Sequence, residues 1–212
     1  VEVVEVGGTE ALLYRSFPVD VGIIRGTFAD PSGNIVSDNE AIVMEALEVA
    51  MAAKNCGGIV IAQVQGVLSG PAYPHHVRVP GIFVDYVVVA SSRKTHPHSL
   101  FVEHDPSYSG ELRTSLRDQV NPLALGVEKV ICRRAAMEMT LGMNINLGLG
   151  IPMGVAAVAF EEGLLDRVTL NNEVGAVGGL PEGGKNFGPA KNPSAFMAQP
   201  SMFDFYDGGG LD

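Results

Sequence analysis

Apolar positions in the first part of the chain follow two periods in turn. Val19 to Arg25 and Ile59 to Val64 are short continuous apolar runs, the pattern of buried strands. The second run predicts a strand covered on both faces, as in parallel sheets. Between them Ile42, Val43, Ala46, Leu47 and Ala50 recur at helical spacing, which predicts a helix over Glu40 to Lys54, ended by Gly57-Gly58. Ala29-Asp30-Pro31-Ser32-Gly33-Asn34 is a turn cluster, and Val77 to Val79 and Ile82 to Ala90 add strands around Pro80-Gly81. Strands alternating with helices predict an α/β fold, a layered parallel or mixed sheet with flanking helices.

From Ser91 to about Asn121 the chain turns polar and reads as a linking segment, followed by helix-forming sequence over Glu128 to Met139. Leu141 to Phe160 then carries no charge over a length that could span a membrane. Asn144, Asn146, Pro152 and glycines at 142, 148, 150 and 154 would be costly in hydrocarbon, so a strand, a glycine turn and a buried helix to about Leu165 are expected instead. A further strand, Val168-Thr169-Leu170, breaks into Asn171-Asn172-Glu173-Val174-Gly175, with Gly178-Gly179-Leu180-Pro181 and Gly183-Gly184 close behind.

Composition narrows the function classes. With 46% hydrophobic and 18% charged residues, the chain is built to bury a core rather than to stay disordered. Its 26 glycines in 212 residues exceed the usual ~7% and point to tight loops and close backbone approaches. A formal charge of −10 argues against broad nucleic-acid binding, yet leaves room for a phosphate ligand held by helix amides and a few basic groups. Cys56 and Cys132 form no C-x-x-C word, so reduced thiols in a cytoplasmic protein fit better than a disulfide scaffold. No leader word is visible at Val1.

The chemistry concentrates at Glu173, a carboxylate at a strand end ringed by glycines, where α/β proteins commonly place their sites. Upstream, Gly148-Leu149-Gly150-Ile151-Pro152-Met153-Gly154 opens a helix. It lacks the third glycine of a dinucleotide fingerprint, but Pro152 suits a first helical turn whose amides could seat an anion. His96, His98 and His104 with Glu103 and Asp105 match no strong zinc spacing and read as a solvated loop, and His75-His76 as a surface turn. Arg25 reads as one member of a structural ion pair, and Phe203, Phe205 and Tyr206 as core and loop anchors.

Several of these words, in order, resemble those of the class I coenzyme A transferases, most closely the propionate/acetate branch. They are Asn146-Leu147-Gly148-Leu149-Gly150-Ile151-Pro152, Glu173-Val174-Gly175 and the closing run Phe203 to Asp212, with Asp20 to Thr27 and Gly57 to Val64 earlier. The resemblance implies two related domains, one over residues 1–125 with the linker and a second over 126–212, both incomplete, as in an internal fragment or a truncated product. It implies that Glu173 is the catalytic nucleophile, and that Gly148, Leu149, Gly150, Ile151 and Pro152 lie against coenzyme A. Gly175, Gly178 and Gly179 would shape the pocket.

Coenzyme A and acyl-CoA would then be substrates rather than bound cofactors, short-chain carboxylates the acceptors, and a homo-oligomer the assembly. Neither a metal, a membrane nor a nucleic acid is called for. Groups that stabilise the oxyanion would come from segments beyond this chain. Acyl-CoA hydrolysis on the same fold and a non-catalytic remnant needing a partner chain are the alternatives.

Overall fold

The computed structural model describes residues 1–115 and 120–206. The chain opens with an antiparallel hairpin, Glu2–Val6 paired with Thr9–Leu13 around a two-residue Gly7-Gly8 turn. The hydrophobic pattern had not suggested this hairpin, although a Gly-Gly pair between short alternating runs is a hairpin signal.

Three parallel strands follow, in the order Val21–Arg25, Ile59–Val64, Tyr86–Val89. The helix Ala46–Asn55 covers one face, where Ile24, Ala50, Ala53, Val60, Ala62 and Val64 form the first core. Two expectations fail here. The central strand is fully buried on one face only: Val60, Ala62 and Val64 are buried, while on the other face Ile61 and Gln63 are half-buried, and Ile59 and, on the strand beside it, Ile23 are exposed, the latter at 73%. The helix also starts at Ala46 rather than Glu40. Met44 takes a left-handed φ of 54°, and the Glu40 side chain is drawn inward, so residues 40–45 serve tertiary contacts instead of helical turns. A second, four-stranded sheet (Gly66–Val67, Phe28–Ala29, Ile35–Val36, Val77–Val79) closes the end of this core with Ile35 and Val79.

In the later half the helix Val127–Ala136 packs on the helix Met153–Glu161 through Cys132, Ala136, Val155, Ala156 and Val158. The uncharged stretch from Leu141 to Phe160 divides into the strand Asn144–Asn146, a glycine turn and the start of that second helix. Among the described residues no helix is long and apolar enough to cross a membrane. The strand Thr169–Asn171 pairs in parallel with Asn144–Asn146, then turns back through Ala176–Val177, which pairs with Ala195–Phe196. The final helix, Gln199–Tyr206, anchors through Met202, fully buried, whereas Phe205 is exposed, contrary to the expectation of an aromatic anchor. The closing run from Asp207 to Asp212 lies outside the described residues.

The polar segment after Ser91 is more than a tether. Gln63 Nε2 donates to the Thr95 carbonyl (3.0 Å) and Arg25 to that of His96 (3.4 Å), tying it to the first sheet. On its other side Asn192, in a left-handed conformation (φ 51°), gives and takes bonds with Thr114: Thr114 N donates to Oδ1 (2.9 Å), and Nδ2 donates to the Thr114 carbonyl (2.8 Å). Ser99 donates to Asn186 Oδ1 (2.9 Å), and Asn192 N to the Ser107 carbonyl (2.8 Å). The segment therefore clasps both halves.

Candidate active site

Parallel strands joined by a crossover helix release their loops at the same end of the sheet. Asn144–Asn146 and Thr169–Asn171 are such a pair, in register from Asn144 opposite Thr169 to Asn146 opposite Asn171. Beyond Asn146 the chain enters Gly148 to Pro152, and beyond Asn171 it reaches Glu173. The two predicted elements thus leave the same edge on neighbouring strands.

Glu173 sits in the tight turn that reverses Thr169–Asn171 into Ala176–Val177. Asn172 builds that turn. Its amide donates to the Ala176 carbonyl (3.2 Å), its carbonyl accepts from Gly175 N (3.2 Å), and its buried side chain takes Ala176 N (3.2 Å) and donates to the Gly188 carbonyl (2.7 Å). Gly175 is left-handed (φ 112°), and a Cβ there would lie 2.0 Å from the Met197 carbonyl oxygen, so only glycine closes the turn. Gly178 and Gly179 are likewise pressed against Ser194 and the Lys191 and Asn192 carbonyls. These three glycines answer first to the chain's own backbone.

The frame leaves Glu173 half-buried, with a carboxylate oxygen in a state shared by Glu45 and Glu48. Oε2 is shielded from solvent yet meets no hydrogen-bond donor among the described residues. An acceptor left so costs roughly 1–3 kcal/mol relative to a bonded one, and such groups in folded proteins call for an explanation, catalysis among them. A carboxylate oxygen that no donor quenches keeps its lone pairs for an electrophile.

The neighbouring loop is open. Nothing lies within 4 Å of a Cβ built on Gly148 or Gly150, the second with φ 95°. The amides of Met153, Gly154 and Val155 already donate to the carbonyls of Gly150, Ile151 and Pro152. The anion seat expected from free helix-start amides is thus confined to the residues ahead of Met153. Ile151 and Pro152, with Leu147, Ile145 and Val155, line an apolar groove of about 290 Å³.

A second carboxylate, Glu40, lies in the first half. Its Oε2 accepts from Arg25 Nε (2.6 Å), and its Oε1 lies 3.1 Å from Thr27 Oγ1 and 3.0 Å from His96 Nε2. Arg25 thus makes the structural ion pair its position suggested. Burial pushes the Glu40 carboxyl up, but the His96 hydrogen bond and the Arg25 charge together outweigh it and hold the group below the ordinary value. The cluster borders a cavity of about 240 Å³ lined by Ile23, Arg25, Met44 and His98 among others. His75 and His76 lie on the surface as expected, but the solvated-loop reading fails for His96 and His98, which are 0% and 6% exposed. His96 is held by Glu40, 56 positions away, which spacing alone does not reveal, whereas His98 is bonded within its own loop to His104 and Asp105.

A family model described as coenzyme A transferase matches residues 1–90. Caffeate CoA-transferase of Acetobacterium woodii is 45% identical over the whole of this chain, which covers 40% of that protein. Acetate CoA-transferase YdiF of Escherichia coli O157:H7 is 36% identical with the same coverage. The crystal structure of that acyl-CoA transferase as a thioester complex with CoA superposes with a TM-score of 0.81 at 34% identity, over 100% of this chain and 40% of the other. Family model, sequence relatives and solved structure all support the coenzyme A transferase family, and the chain spans about two fifths of the length of the curated relatives it matches.

Proposed function

We propose that the protein containing this chain transfers coenzyme A between carboxylic acids, with Glu173 as the nucleophile. The observation that carries the reading is the shielded Oε2 of Glu173, without a donor among the described residues, following the strand paired with the one that leads into the open Gly148–Pro152 loop. The Glu173 carboxylate attacks the thioester carbonyl of an acyl-CoA and expels the CoA thiolate, leaving an acyl–glutamyl anhydride. The thiolate then attacks the glutamyl carbonyl, which releases the first acid and leaves a glutamyl–CoA thioester. An incoming carboxylate opens that thioester to a new anhydride, and the thiolate takes its acyl group, restoring Glu173. Coenzyme A enters and leaves as substrate, and remote contacts to it, with Gly148 to Pro152 among them, supply binding energy to the reacting centre.

Acetate- or propionate-type acids are our first choice of substrate, supported by the family resemblance and the acetate CoA-transferase relative. The caffeate CoA-transferase relative, at 45% identity, supports a second choice, an aromatic acid. We further take residues 1–125 and 126–212 to belong to two related domains, a division supported by their separate apolar clusters. The free thiols of Cys56 and Cys132 suit a cytoplasmic protein, and a homo-oligomer is the assembly that the family resemblance supports.

The test is covalent. The full polypeptide is incubated with acyl-CoA in the absence of an acceptor acid, then treated with borohydride or hydroxylamine. Mass spectrometry of the peptide spanning Asn171 to Gly175 should show Glu173 reduced or converted to the hydroxamate only after acyl-CoA. No adduct under conditions where acid-dependent exchange proceeds would sink the mechanism. Thiol release without an acceptor acid would instead indicate hydrolysis.

A further inference from the structure

The clasp carries a constellation that CoA transfer does not use. His98, His104 and Glu111 each offer one donor atom, and these three atoms lie within 4.8 Å of one another. We propose that they form a metal site of the zinc class, which pins the clasp between the two halves.

The spacing suits a shared ion. His98 Nε2 and His104 Nδ1 are 3.3 Å apart. Two nitrogens at roughly 2.0–2.1 Å from a tetrahedral zinc are separated by about 3.3–3.4 Å. Glu111 Oε2 lies 3.9 Å from the other nitrogen of the same ring, His104 Nε2, which sets the carboxylate beside the histidine pair.

The surrounding shell is also in place. A metal-bound histidine normally donates its other ring N–H to a carbonyl or carboxylate, which sets the tautomer. His98 Nδ1 accepts from the Asp105 amide at 3.1 Å and lies equally close to the Asp105 carbonyl oxygen, and the tautomer that donates to that carbonyl would free Nε2 for the ion. Ser109 Oγ donates to Glu111 Oε2 at 2.7 Å and orients that carboxylate.

Two imidazoles and one carboxylate suit Zn²⁺ rather than Ca²⁺ or Mg²⁺, which take oxygen ligands, and three protein ligands leave a fourth position for water. The ligands bracket the short helix Pro106–Ser109, whose N-cap is Asp105. His98 borders the cavity beside Arg25, and Glu111 precedes Arg113 and Thr114, which bond to Pro193 and Asn192. An ion here would fix the segment at both anchorages. Sequence spacing missed the site because Glu111 joins only when that helix folds the chain back.

The full polypeptide, stripped with chelator, is titrated with Co²⁺ and with Zn²⁺. One equivalent should bind at micromolar or tighter dissociation constant, Co²⁺ should show the intense visible bands of a tetrahedral centre, and Zn²⁺ should raise Tm by a few degrees. His104→Gln and Glu111→Gln change partly exposed side chains, so folding should survive, and each should weaken binding at least about tenfold. His75→Gln, at an exposed turn, should leave binding unchanged. Wild-type affinity in both ligand variants, only the weak bands of an octahedral surface ion, or no saturation at millimolar metal would each overturn the proposal. His98 and His104 would then be a hydrogen-bonded pair. The readouts do not involve CoA transfer, so this test stands or falls apart from that of Glu173.

Discussion

Glu40 and Glu173 are glutamates of the same chain, each drawn out of full solvent at the end of strand-bearing sequence, and their surroundings are opposite. Around Glu40 both oxygens are bonded: Arg25 to Oε2, and Thr27 and His96 to Oε1. Around Glu173 the hydrogen bonds go to its neighbour Asn172, and its own Oε2 meets no donor among the described residues. A carboxylate saturated with donors is held in one geometry and is a poor nucleophile. One whose frame is satisfied by the adjacent residue can be positioned without being quenched. The difference lies in which side chains carry the scaffolding, since the residue type is identical.

The sharpest way to break this comparison is to remove each charge without changing shape. Glu173→Gln should lower acid-dependent CoA exchange by the full polypeptide at least about a thousandfold, with Tm essentially unchanged, because nothing leans on its Oε2. Retained exchange, or a large loss of stability, would put Glu173 in the same class as Glu40.

Glu40→Gln should do the reverse. It should cost about 2 kcal/mol in urea unfolding at neutral pH, toward the low side for a buried pair because Arg25 is about one third exposed. A pH series adds the sign. The Glu40 carboxyl is held below its ordinary 4.5, so its contribution is complete above that value and is lost as pH falls through the lower folded-state value. Wild type should therefore lose stability more steeply below pH 4.5 than the glutamine variant. Parallel acid profiles would show that the Arg25–His96 surroundings do not stabilise the charge.

The smallest effect is expected at the loop beside Glu173. Gly148→Val places its side chain in open space without a left-handed backbone, whereas Gly150 at φ 95° would be strained by any side chain. The Gly148 variant should keep its Tm and raise the KM for acyl-CoA by about tenfold or less, with kcat little affected. Unchanged kinetics would make the loop an ordinary corner.

How much of this was legible beforehand varied with how local each feature is. The runs at Val21–Arg25 and Ile59–Val64 were readable because strand propensity and pairing agree there. The helix start was misjudged because Glu40 answers to His96, 56 residues away, and Met44 takes a left-handed turn no propensity anticipates. Glu173 was legible as a word, Glu173-Val174-Gly175, and as a strand end. Its unpartnered oxygen was not, because it depends on where Asn172 directs its amide. The buried histidines were misread for the same reason, as spacing along a loop says nothing of what folds over it.

The clasp has a consequence for assembly in time. Its bonds join residues far apart in sequence: Arg25 to His96 across 71 positions, Thr114 to Asn192 across 78 and Ser99 to Asn186 across 87. Contacts of such separation form late, because the entropy of closing the intervening chain is spent before any of them is gained. A ribosome making this chain from its amino end completes the first sheet and the attachment of His96 while Asn186 and Asn192 are still unmade. The segment therefore emerges with one end fastened and the other waiting, and the turn that carries Glu173 comes into register with the first half only when the last strands have left the tunnel.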